Sequence, residues 1–181
     1  MKSTKIAVVV TGIRPIMFDR FVSMKAKLAP EKKVYVEDGV LVLPAKNIMS
    51  FLSGVNTESA PQRTMGKKWR TIAKAAMSFV DITPDNIRIL RDGKPCTVED
   101  TEKIRDKAVV KKGQLAVPSE KIRPMLPLPW SMSFGLELYQ NEDLNESILR
   151  ELFEDGGITI GFGTYRGVYG KFIVEKWEIE K

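Results

Sequence analysis

Six of the chain's thirteen glycines fall between Gly156 and Gly170, in the stretch GGITIGFGTYRGVYGKF of residues 156–172. Glycine has no Cβ, reaches positive φ without strain and lets two backbones approach closely. Peptide N–H groups left bare in this way can form a concave anion-binding nest. Arg166 stands among them, and its planar, permanently charged fork suits phosphate. Tyr165 and Tyr169 offer flat surfaces on which nucleobases stack for about 1–3 kcal/mol each. Together these types suit non-covalent capture of a single-stranded polyanion, through Gly161, Gly163, Tyr165, Arg166, Tyr169, Gly170 and Lys171. A structural reading stands beside this one, in which the glycines only make tight turns where helix meets strand.

The spacing excludes nucleotide chemistry of two kinds. A G-x-G-x-x-G flap fits at Gly161 and Gly163 but meets Arg166 at its third position, with the glycine one place later at Gly167. A phosphate-binding loop of the Walker type needs G-K-[ST], and Gly170-Lys171-Phe172 lacks the hydroxyl that would hold magnesium. The chain has no histidine, which removes the usual general base near neutral pH and the Ser-His-Asp and Cys-His constellations. With Cys96 as the single cysteine, no transition-metal site, cofactor or internal disulfide is expected. Catalysis would have to rest on Tyr, Lys or carboxylates, and a non-enzymatic role is the expectation.

Net charge is +6 and the isoelectric point about 9.4, a balance that favours a polyanionic partner. Its distribution is uneven. From Ser59 to Val80 there is no acidic residue, while Arg63, Lys67, Lys68, Arg70 and Lys74 are all present. A second basic stretch holds Lys103, Arg105, Lys107, Lys111, Lys112, Lys121 and Arg123 against Asp106 and Glu120. Both could simply be solvated faces. The opening MKSTKIAVVV lacks a cleavage signature and reads as a strand, and no apolar run is long enough to span a bilayer. A reducing cytoplasmic setting, without a membrane, is expected.

These residues must be positioned by regular elements. KIAVVVT (residues 5–11) predicts a buried strand. Asp38-Gly39 between two alternating stretches, 33–36 and 40–43, predicts a hairpin. Pro44 opens a helix through AKNIMSFLSGV, ended by Gly54. NTESAPQRTMGKK reads as a polar loop, followed by a helix over 68–79 with Trp69, Ile72, Ala73, Ala76 and Met77 on its apolar stripe. Short strands and turns fill 81–100, a strand pair flanks Lys111, Lys112 and Gly113, and IRPMLPLPW is an extended connector. WSMSFGLELY (130–139) alternates as a half-buried strand. A helix over 144–154, capped by Gly156, precedes the glycine segment. KFIVEKWEIE predicts a last strand with Phe172, Val174, Lys176 and Glu178 on one face and Ile173, Glu175, Trp177 and Ile179 on the other. The order is βαββαβ, that of an α+β ferredoxin-like (RRM-like) sandwich. A single domain over 1–181 is expected, with a basic insertion around 56–125 and a glycine-rich loop near the C-terminus.

In this arrangement the chain resembles the RAMP superfamily, the RNA-binding proteins of CRISPR systems. That family places a glycine-rich loop, two G-h-G pairs around a short basic stretch, between its last helix and last strand. GFGTYRGVYGKF (161–172) occupies that place. Gly161-Phe162-Gly163 matches the first pair and Arg166 supplies the basic residue, while the second pair is incomplete because Lys171-Phe172 follows Gly170. VLPAKNIMSFLSGV (42–55) is similar to the family's strand-Pro-helix element, and VVVTGIRPIMF to its first strand and loop. The ending also resembles small phage and prophage proteins with a similar loop and an acidic, Trp-bearing strand.

The resemblance implies a non-catalytic protein that binds single-stranded RNA or DNA and assembles side by side along the strand as a homo-oligomer or filament. In a bacterial host cytoplasm a phage-encoded member could instead mimic a CRISPR complex subunit and block the host complex. A third implication is a histidine-free endoribonuclease, with Asp19 as its candidate acid; a loop or cap aspartate is the plainer role. The expected nucleic-acid contacts are the loop residues named above with Arg63, Lys67, Lys68, Arg70, Lys74, Lys111 and Lys112.

Overall fold

Strand β1 (Ser3–Gly12) alternates, so that Ile6, Val8 and Val10 are buried while Lys5, Ala7 and Val9 lie on the other side. It is the second strand of the main sheet in a computed structural model that describes residues 1–23, 28–55 and 58–180, with their side chains except those of residues 108 and 110–112. Lys111 and Lys112 are therefore placed only as backbone positions. After β2 (Ile16–Met17), strands β3 (Val36–Glu37) and β4 (Val40–Pro44) form the expected hairpin. Asp38 and Gly39 both take positive φ at its turn, 51° and 78°.

Helices α1 (Ala45–Ser53), α2 (Ala60–Thr64) and α3 (Trp69–Phe79) follow, then strands β5 (Val80–Thr83), β6 (Asn86–Arg88), β7 (Leu90–Arg91) and β8 (Lys94–Pro95). A long ribbon comes next, β9 (Glu102–Lys112) and β10 (Leu115–Leu126), and the chain ends with β11 (Ser131–Tyr139), α4 (Glu146–Thr159) and β12 (Phe172–Ile179). The main sheet runs β12-β1-β11 with β5 beside β11, all pairs antiparallel. This is the ferredoxin-like α+β order, with β5 as the second strand of the repeat. Residues 80–83 of the expected insertion thus belong to the main sheet. The ribbon β9–β10 forms a sheet separate from the main one, and the short β2 joins it at Met125 and Leu126.

The helices cover one face of the sheet. Ile48, Phe51 and Leu52 of α1, Ile72 and Ala76 of α3, and Leu149, Leu152 and Phe153 of α4 are buried against Met132, Phe134, Leu136 and Leu138 of β11. Fully burying one such side chain is worth about 1.5–3 kcal/mol. Phe51 centres an aromatic cluster with Phe153, Phe162 and Phe172 at centroid distances of 5.5, 5.1 and 5.8 Å. Trp130 is buried too, its Nε1 donating to Arg14 O at 2.8 Å and its indole filling the space a Cβ on Gly12 would need.

Several expectations are corrected. The polar loop contains α2, because Gln62 Oε1 accepts from the Ser59 N–H at 2.9 Å and Pro61 fits the first helical turn. Met77 is 61% exposed, and Ala75 takes its place on the buried stripe of α3. The connector starts later than expected, since Ile122–Leu126 continue β10 and Pro124 faces Lys103 across the ribbon. Gly156 does not cap α4. The helix runs on to Thr159, and Gly156 and Gly157 lie inside it where a Cβ would meet Ala60 Cβ at 2.5 Å or Phe172 O at 2.6 Å. A bulge reverses the alternation in β12. Val9 pairs with Lys176 but Val10 with Val174, so Glu175 is the extra residue. Trp177 therefore shares the inner face with Phe172 and Val174, where its ring lies 5.7 Å from Phe153 and its Nε1 donates to Glu146 Oε1 at 2.5 Å.

Candidate nucleic-acid interface

The glycine loop is held by its own backbone. Gly161, Gly163, Gly167 and Gly170 have φ of 79°, 82°, 86° and 71°, and Tyr165 has 54°. Phe162 is pulled into the core, its ring 4.2 Å from that of Phe172. Its N–H donates to Gly170 O at 2.9 Å, and the Gly170 N–H donates to Pro15 O at 2.7 Å. The N–H groups of Gly163, Thr164 and Gly167 donate to Asn47 Oδ1, Met17 O and Ile160 O at 2.9, 2.9 and 2.8 Å. A Cβ on Gly170 would sit on the Phe162 carbonyl, and one on Gly163 would lie 2.5 Å from Met17 O. The anion nest expected from the glycines is thus not presented, because these amides are turned inward to close the loop on the β1–β2 connection and α1. Buried N–H groups demand such partners.

Arg166 is also turned inward, though not onto a carboxylate. Its Nε donates to Gly163 O at 3.4 Å, Nη1 to Glu58 O at 3.4 Å and Nη2 to Asn47 O at 3.1 Å. Burial draws the guanidinium down from its ordinary pKa. Three of its five N–H groups are engaged, and the two remaining belong to Nη1 and Nη2. The side chain also lines a groove of about 640 Å³ with Tyr35, Pro44, Ala45, Lys46, Asn47, Ser50, Asp85 and Asn86.

The groove follows from how α1 begins. Pro44 is its N-cap residue and offers no side-chain cap, and no acidic residue stands in the first turn. The Ala45 N–H is taken by Asp85 O at 2.7 Å, and Asn47 spends its amide on Gly163, accepting at 2.9 Å and donating at 3.2 Å. The positive end of the α1 dipole therefore opens into the groove, beside the exposed Lys46 and the rim of Arg166, with Asp85 as the one acidic lining residue. Tyr165 and Tyr169 lie on the outside of the loop with ring centroids 5.8 Å apart, Tyr165 being 52% exposed. Lys171 is half-buried directly before β12.

The other expected contacts lie elsewhere. Arg63 is ion-paired with Glu58, whose carbonyl receives Arg166, so it touches the loop only at second hand. Lys67, Lys68, Arg70 and Lys74 line the outer side of α3 and its entrance, exposed, with no hydrogen bond or ion pair to the loop among the described residues. Arg70 lies over the Trp69 ring at 5.0 Å. Asp19 is clamped: Lys121 Nζ and Arg123 Nε donate to its Oδ2 at 2.9 and 3.0 Å, and Lys33 Nζ is 3.9 Å from Oδ1. Burial works to raise its pKa, but the hydrogen bonds and charges of Lys121 and Arg123 outweigh it and hold the carboxyl below its ordinary value. Its ion pairs with Lys121 and Arg123 tie β10 to the body. Sequence reasoning missed Tyr35, Lys46, Asn47 and Asn86. A visible signal was the proline-opened helix with no capping side chain and a lysine in its first turn.

No family model matches the chain, and no curated protein matches it. Solved structures do, 37 chains among them. One is a chain of the cryo-EM structure of the Type III-B Cmr-beta bound to cognate target RNA, with a TM-score of 0.57 and 16% identity. The match covers 99% of this chain and 61% of that one, so this chain spans about three-fifths of its neighbour's length. At that identity the likeness is one of fold. No helix among the described residues is long and apolar enough to cross a membrane.

Proposed function

We propose that this chain is a non-catalytic protein of RAMP type that binds single-stranded nucleic acid, with the sugar-phosphate chain passing over the groove at the start of α1. One observation carries the reading: the uncapped α1 N-terminus, Lys46 and the two free N–H groups of Arg166 converge on one open groove. Tyr165 and Tyr169, outside the same loop, are the stacking surface for bases. The fold shared with a chain of an RNA-bound complex supports the reading, as does the loop's place between last helix and last strand. The role of Arg166 is then double, bracing the loop while lending charge to the groove. A chain without histidine, whose Asp19 is locked in ion pairs, fits binding better than cleavage.

Fluorescence anisotropy with a labelled single-stranded oligonucleotide tests this at two salt concentrations. Binding should weaken steeply with salt, as phosphate contacts require. Arg166→Ala removes a loop brace as well as a charge, so Lys46→Glu is the cleaner variant. It should weaken binding about tenfold or more and lower the salt slope by about 1. Binding indifferent to both salt and Lys46 would refute the groove.

A further inference from the structure

The groove at the start of α1 holds more than a phosphate group needs. At about 640 Å³ it falls within the range of about 300–1,000 Å³ found for sites that take whole small molecules. Its lining includes Asp85, an exposed carboxylate that repels a passing phosphate. Lys46 and Arg166 share the groove with Asp85, yet its side chain has no ion pair or hydrogen bond with any described residue. Beside it stands Asn86, whose Nδ2 donates to Glu37 Oε1 at 3.3 Å and whose Oδ1 is left as an acceptor. Phosphate contacts alone account for neither residue.

A flat ring lies in the same lining. Tyr35 is half-buried, and its carbonyl accepts from the Val42 N–H at 3.0 Å, which fixes it against β4. The Arg20 guanidinium lies over the ring, with Cζ 5.9 Å from the centroid. Arg20 is exposed; its backbone N–H donates to Lys33 O at 2.8 Å, and its guanidinium has no carboxylate partner among the described residues. Stacked layers lie about 3.4 Å apart, so a base between ring and guanidinium requires Arg20 to rise by about 1 Å. An exposed side chain can make that movement. Aromatic faces and guanidinium planes are the surfaces on which unpaired bases stack.

We infer that the groove takes one whole nucleotide of the bound strand, its base between Tyr35 and Arg20, and that it prefers guanine. The preference follows from the acceptors. Guanine alone among the bases presents donors on adjacent positions of one edge, N1–H and the N2 amino group, and a carboxylate receives such a pair with both oxygens. Asp85 is the carboxylate in the lining, and an acid in an otherwise cationic groove thereby has a ligand. Adenine, cytosine and uracil each leave one of its oxygens unpaired. The inference rests on the nucleic-acid reading of the groove and adds to it the reading of a base, which phosphate contacts cannot supply.

Fluorescence anisotropy with labelled uridine octanucleotides tests it, using strands that carry guanine, adenine or cytosine at one central position. The guanine strand should bind about tenfold tighter than the others and than the all-uridine strand. Asp85→Asn, at an exposed side chain, should erase that advantage and leave the other strands bound no more weakly. Tyr35→Leu should weaken every strand about tenfold without changing the salt slope, because it removes a stacking surface and no charge. Lys46→Glu, in contrast, acts on the slope. Strands bound alike, with Asp85→Asn and Tyr35→Leu both silent, overturn the base slot, and the phosphate groove survives if binding still falls with salt and with Lys46→Glu. A guanine advantage that persists in Asp85→Asn overturns the slot as well. No binding of any strand at low salt overturns the slot and the groove together.

Discussion

The glycine loop and helix α3 are two of the regions whose composition pointed to a polyanion, and the structure treats them in opposite ways. In the loop, glycine permits contact of the protein with itself: Gly161 closes on Gly170, Gly163 on Met17, and amides that could have faced a ligand bond internal carbonyls. On α3 the charges have no internal role beyond the stack of Arg70 on Trp69, and they stay in solvent. A dense run of glycines therefore reports close backbone approach first. An acid-free run of lysines reports charge that the fold has not spent. Only at the groove do the regimes meet, where Arg166 gives three N–H groups to the carbonyls of Gly163, Glu58 and Asn47 and keeps two without a partner among the described residues.

That contrast can be broken most forcefully at Gly170. Alanine there meets the Phe162 carbonyl and must hold φ at 71°, so Gly170→Ala should cost about 3 kcal/mol or more in denaturant unfolding. A loss under about 1 kcal/mol would mean that the loop can rearrange and free its amides. Asp19→Asn comes next, because it leaves Lys33, Lys121 and Arg123 without their anion; a loss of about 1–3 kcal/mol is expected. The pH dependence has a fixed sign. A carboxyl whose folded pKa lies below its ordinary 3.8 contributes stability that is complete above that value and is lost as pH falls through the lower folded one. Wild-type stability should thus drop on an acid limb below about pH 4 that Asp19→Asn flattens, as a titration of urea midpoints would read. Gly167→Ala should cost only about 1–2 kcal/mol, since φ is 86° but the nearest atoms lie 3.9 Å away. Least of all, triple alanine at Lys67, Lys68 and Lys74 should change stability by under about 0.5 kcal/mol and leave oligonucleotide anisotropy nearly unchanged. If that variant loses oligonucleotide binding, the strand's path includes α3.

Much of the fold was legible because local signals and tertiary demands agreed. Asp38-Gly39 could form its hairpin without outside help, and the alternation of β11 matched a sheet buried on one face. What escaped depended on neighbours distant in sequence. Gly156 and Gly157 look like a helix stop, yet Ala60 and Phe172 require them small inside a helix that continues. The inward turn of Trp177 depends on a bulge set by pairing with β1, which no two-residue period reveals. α2 was hidden because its polar composition resembled a loop, although the Ser59 to Gln62 spacing is a helix-start signal. For the site, the residue types of the loop were legible but their direction was not. Whether an amide or a guanidinium faces in or out depends on carbonyls such as Met17 O and Asn47 O, far away along the chain.

The extra residue at Glu175 also bears on how molecules can meet. β12 is the outermost strand of its sheet, and an uninterrupted border would invite a neighbouring strand to zip on. A residue that opposes no partner breaks that row of donors and acceptors halfway, and the Lys176–Glu178 ion pair lies just beyond the break. Growth of the sheet across molecules is thereby discouraged.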